Sequence, residues 1–80
     1  SNHGGMIVHR LMMGDVDDPE IYAAAPLYDW MQTEKGKWVT EHSLTEPYFS
    51  LRPNKYYGYD IIISAVFNDK DQTWFALKYQ

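Results

Sequence analysis

The stretch that most constrains this chain runs from Gly14 to Trp38, where two prolines, Pro19 and Pro26, punctuate its only helical signal. Asp18 before Pro19 is a helix start, because an aspartate can accept the orphan amide hydrogens of a first turn and proline is pre-set for the first helical position. Asp15, Asp17 and Glu20 add negative charge where the helix dipole is positive. Pro26 lacks the amide hydrogen that would bond the carbonyl of Tyr22, so a short helix over about 19–25 breaks or kinks there and a second begins. From Leu27 the apolar positions Leu27, Trp30, Met31 and Trp38 share a face at helical spacing, which makes them core. Gly36 is a candidate stop, but the phase of Trp38 predicts continuation to His42 or Ser43.

The flanking segments read as strands. Met6–Met13 is short, mostly apolar and closed by Gly14; strict alternation puts Ile7, His9, Leu11 and Met13 on one side and Val8, Arg10 and Met12 on the other. His9 on such a strand reads as a partly covered sheet residue. Leu44–Asn54 carries Pro47 and Pro53 and reads as a loop with a short extended piece at Tyr48–Leu51. Tyr56–Phe67 and Thr73–Tyr79 read as a hairpin joined by Asn68–Gln72, with Phe67 opposite Thr73 and Ile61, Ile63 and Ala65 sharing one face with Phe75, Leu77 and Tyr79. Its far face would show Asp60, Ile62, Ser64 and Val66 beside Trp74, Ala76 and Lys78. The order strand, kinked helix, hairpin predicts an α+β domain over residues 6–80, with a three-stranded, mainly antiparallel sheet covered on one face by the helix.

Eighty residues can bury only a thin core, which the thirteen aromatic rings partly offset. With no cysteine, neither a disulfide framework nor a thiolate metal site is available, and a cytoplasmic setting is expected. No apolar run reaches the roughly 20 residues of a membrane span, so no membrane partner is expected. Ser1–Gly5 reads as the remnant of an expression tag, and His3 near a free amino terminus could wrap Cu(II) or Ni(II) adventitiously. The net charge of −4 sits in the first half: up to Pro47 acids outnumber bases eight to three. Such a half favours basic partners over phosphate backbones.

Chemistry-bearing motifs are absent. His42 adjoins Ser43, but sequence neighbours are not a nucleophile and base, and no Gly-x-Ser-x-Gly turn occurs. The acids near Gly14 lack the spacing of a calcium loop, and no glycine cluster forms a phosphate cradle. The expectation is no enzyme, no cofactor and no metal. Lys55–Ile62 partly matches the strand of an RNA-recognition motif, yet Tyr56 and Ile62 stand where that motif needs a glycine and an aromatic. Tyr57 and Tyr59 would stack bases on such a sheet, but the hairpin register turns them into the core.

The run Met13–Ala24, followed by Trp30, Thr33-Glu34, Gly36, Trp38-Val39 and Asp69-Lys70-Asp71, resembles a family of small uncharacterised proteins of T4-like tailed phages and cyanophages. The likeness spans nearly everything after Met6 and brings no assigned activity with it, only a context: small phage proteins outside the core gene set often bind and redirect a host protein, or serve as minor parts of the particle. The reading is therefore a protein-binding module acting on a host protein through Asp15, Asp17, Asp18 and Glu20, or through Trp74 and Lys78. The alternatives are an assembly protein that self-associates through its sheet as a homo-oligomer and, less favoured, a single-strand nucleic-acid binder.

Overall fold

A computed structural model describes residues 5–14 and 17–80 of the chain. His3 and Asp15, with the readings made for them, lie outside the described residues. Seven elements follow one another: β1 (Met6–Met12), α1 (Pro19–Tyr22), α2 (Ala24–Met31), α3 (Glu34–His42), β2 (Tyr48–Pro53), β3 (Tyr59–Ala65) and α4 (Asp69–Tyr79). The three strands form one antiparallel sheet in the order β1-β3-β2. The α+β class and the three-stranded sheet are as the sequence predicts; the identity of the third strand is not.

The central strand β3, with its run Ile61-Ile62-Ile63, has the near-continuous apolar character of a strand flanked on both sides. Its odd positions Ile61, Ile63 and Ala65 join Val8, Ala23, Trp30, Val39, Phe67 and Phe75 in a single core. The opposite face carries Asp60, Ile62 and Ser64, paired with Met12, Arg10 and Ile7 of β1 and with Arg52, Ser50 and Tyr48 of β2. Ile62 is buried but stands apart from the core cluster. A register shift between Ile7 and His9 breaks strict alternation in β1, so Val8 turns inward and Ile7 outward, the reverse of the expectation.

Thr73–Tyr79 is helix, so the predicted hairpin with Phe67 opposite Thr73 does not form. Asn68 caps α4, its side-chain oxygen accepting from the Asp71 amide at 2.8 Å, and Asp69 and Asp71 occupy the first turn. One turn apart, Phe75 enters the core and Tyr79 packs against it. The observed hairpin instead joins β2 to β3. Asn54 shapes its turn: its side chain accepts from the amides of Tyr56 (2.8 Å) and Tyr57 (3.2 Å) and donates to Asp60 (2.7 Å). Gly58 supplies the left-handed residue (φ 69°) that returns the chain to β3. Tyr57 is exposed in this turn, contrary to the register that put it in the core.

The helical stretch is broken twice, and neither break falls at Pro26. Ala23 separates α1 from α2, which places Pro26 in the first turn of α2, where a missing N–H costs nothing. Asp18 precedes α1 without a side-chain cap bond, its backbone carbonyl accepting from Ile21 and Tyr22 instead. Between α2 and α3, the Thr33 hydroxyl donates to the Trp30 carbonyl (2.6 Å) and accepts from the Gly36 amide (3.0 Å), ending one helix and capping the next. Beyond Gly36, α3 runs to His42 as predicted.

Candidate functional site

The sheet has two edges of different character. On β1 the register shift interrupts the ladder and the Gln80 side-chain amide donates to the Ile7 carbonyl at 3.0 Å. On β2 all six residues pair with β3 in unbroken register, and no strand among the described residues covers the other side. Phe49 and Leu51 project from β2 toward the helices, as their partners Ile63 and Ile61 do from β3.

Beside this edge lies a groove of three adjoining concavities. The most enclosed, about 310 Å³, is lined by Leu27, Trp30, Met31, Phe49 and Ile63, with Glu46 and Thr40 among its polar lining. Phe49 links it to a second, bordered by Glu20, and Glu20 and Leu51 link that to a third, bordered by Asp18 and Ile21. No lysine or arginine lines any of the three, while Lys37 lines a more open neighbour that shares Met31 and Thr40 with the first. Met31 and Phe49, at 43% and 44% exposed, are large apolar side chains left partly open to water. Trp30 is buried, yet its indole N–H has no hydrogen-bond partner among the described residues.

The acidic residues singled out from the sequence belong partly to this groove: Asp18 and Glu20 border it, and Asp17 is exposed beside them. Trp74 and Lys78 do not join them. They sit on α4 rather than on the sheet face expected for them. The Trp74 ring stacks on Trp38 with centroids 4.5 Å apart, and the Lys78 ammonium lies 5.6 Å from the Trp74 centroid. Register separates the two groups. Asp18 and Glu20 lie beside Leu51, opposite Ile61, whereas α4 ends at Gln80 against Ile7, opposite Ser64.

Sequence reasoning missed Met31 and Phe49 as surface residues. Met31 falls on the helical stripe read as core, and Phe49 lies in the short extended piece at Tyr48–Leu51, which the sequence places in a loop flanked by Pro47 and Pro53 and not in the sheet. The usable signal was Tyr48-Phe49-Ser50-Leu51, where Phe49 and Leu51 recur at the two-residue period of a strand.

A second cluster joins β1 to α3. The Lys35 ammonium lies 3.2 Å from His9 Nδ1 and over the rings of Phe75 (5.5 Å) and Tyr79 (5.1 Å), while the His9 ring stacks on Trp30 at 5.4 Å. Burial lowers the His9 pKa and the Lys35 charge lowers it further; burial also lowers that of Lys35. Lysine is the donor and neutral histidine the acceptor. His42 and Ser43 are engaged separately, His42 Nδ1 with the Trp38 carbonyl (2.9 Å) and the Ser43 hydroxyl with the backbone of Val66 (3.3 Å). Among the described residues no group of three or more His, Cys, Asp or Glu side chains is placed to hold a metal ion, and no helix is long and apolar enough to cross a membrane.

Comparison with protein-family models, with curated proteins and with solved structures finds no match.

Proposed function

We propose that this chain is a small non-catalytic protein-binding module whose docking surface is the groove between β2 and the α1–α2 segment. In the setting its resemblance implies, it is a phage accessory protein that binds and modulates a protein of the host cytoplasm. The observation that carries this reading is an apolar floor with an acidic border beside an unpaired sheet edge, a combination that suits a polypeptide ligand. A second reading, self-association through β2, draws on the same regular edge. Light scattering separates the two: a concentration-dependent dimer supports self-association.

The test is affinity capture from bacterial lysate with and without nuclease treatment, at low and moderate salt, using the wild-type chain beside Met31→Glu. A single stoichiometric protein retained by the wild type and lost with Met31→Glu supports the groove. Equal retention by both chains contradicts it, and binding that disappears with nuclease treatment points to nucleic acid instead.

A further inference from the structure

We infer that the groove receives an extended segment of the partner, alternating apolar and basic side chains, which adds to the free edge of β2 as a fourth strand. The inference rests on the protein-binding reading above and specifies its ligand.

The contrast between the edges supplies the first argument. A regular edge presents alternate N–H and C=O groups to solvent, and proteins commonly blunt such edges with bulges or covering groups. β1 shows both devices, a register shift and the Gln80 amide on its backbone; β2 keeps unbroken register from Tyr48 to Pro53 and carries its charge and proline, Arg52 and Pro53, only at its last two positions, leaving Tyr48–Leu51 regular.

Side-chain spacing supplies the second. A strand added about 4.8 Å beyond β2 would point every other residue toward the helices, continuing the face on which Phe49 and Leu51 already lie. The concavity between Phe49 and Leu27, about 310 Å³, is at the small end of binding cavities and suits one large apolar side chain. Backbone hydrogen bonds would give affinity, and this pocket would give selectivity.

Charge supplies the third. Asp18, Glu20 and Glu46 border the three concavities along β2 with no base among their lining residues; Lys37 stands farther off, in a concavity on the α3 side of Met31 where Glu41 accompanies it. A segment flanking its apolar residues with lysine or arginine complements that border. A second copy of the chain would bring the same carboxylates to the edge.

The test uses the full ¹⁵N-labelled chain and two seven-residue, end-capped peptides, one alternating valine with lysine and one alternating valine with glutamate. The expected result is shift changes concentrated in β2 and α2, slowed exchange at the β2 amides facing away from β3, and binding about tenfold or more tighter for the lysine peptide. The double variant Glu20→Lys, Glu46→Lys should reverse the preference. Equal binding of both peptides, or shifts centred on β1 or α4, overturns the inference. So does a change at β2 that follows protein concentration alone, which would make a second copy the occupant. Failure of both peptides while Met31-dependent capture persists removes strand addition and leaves the groove as a docking site; failure of both assays removes both.

Discussion

Gly36 shows how much one residue can decide in so thin a core. A side-chain carbon there would run into the Trp30 carbonyl oxygen and come within 2.8 Å of Met31 Cα, so α3 crosses the end of α2 only because position 36 has none. Alanine in a helix ordinarily gains about 0.5–1 kcal/mol over glycine. Here the sign reverses: Gly36→Ala should destabilise by about 3 kcal/mol, read as a fall in Tm of more than about 10 °C. A Tm equal to or above wild type would refute the close approach. The sequence marked Gly36 as a candidate stop but held no sign of this contact, which depends on a turn at Thr33 that the apolar period runs straight across. His9 supplies a second outcome at this scale. Its lowered pKa means the unfolded chain binds the proton more readily, so the stability linked to His9 is fully present above about pH 6.5 and is lost as pH falls through its lowered folded value. Urea unfolding across pH 4.5–7.5 should show that decline, and His9→Gln should flatten it; an unchanged slope would contradict the Lys35–His9 arrangement.

At the scale of elements, the sequence was legible where period and boundary signals agreed. β1, the core of β3 and the continuation of α3 past Gly36 followed from apolar spacing and local stops. α4 did not, because Thr73–Tyr79 alternates well enough to imitate a strand and carries large rings that strands favour. What decides its state is the cap. Asn68 satisfies the Asp71 amide of the first turn, Asp69 and Asp71 add negative charge at the positive end of the helix dipole, and Phe75 and Tyr79 then meet the core one turn apart. Asn68→Ala should therefore cost about 1 kcal/mol and raise amide exchange first in Asp69–Gln72. No change in either would mean that packing of Phe75 alone fixes the helix. Reading Thr73–Tyr79 as the third strand also hides the place of β2: the extended piece expected at Tyr48–Leu51 is real and runs on to Pro53, but as a strand paired with β3 rather than a piece of loop. The acidic half of the candidate surface was visible in composition, while the apolar half, Met31 and Phe49, depends on which strand lies at the sheet edge.

For the whole molecule, helices on one face of a narrow sheet leave two surfaces of different character. The uncovered face sets Arg52 opposite the buried Asp60 and Arg10 diagonally across from it, with Arg10 Nη1 4.0 Å from its carboxylate. The same face also exposes Ile7, Met12 and Tyr48, but Ile7 and Met12 stand as single side chains around this charged centre rather than lining the groove, and Tyr48 is itself among the groove's lining residues. The proposed binding site is therefore the groove side of β2, while Trp74 stacks on Trp38 and holds α4 against α3. The most direct measurement is hydrogen exchange across the chain, free and in complex with the protein captured from lysate. The account predicts protection gained on binding over Tyr48–Pro53 and Asp18–Met31, with α4 and the β1 edge unchanged. Protection concentrated on α4 around Trp74 and Lys78, or on β1, would contradict it.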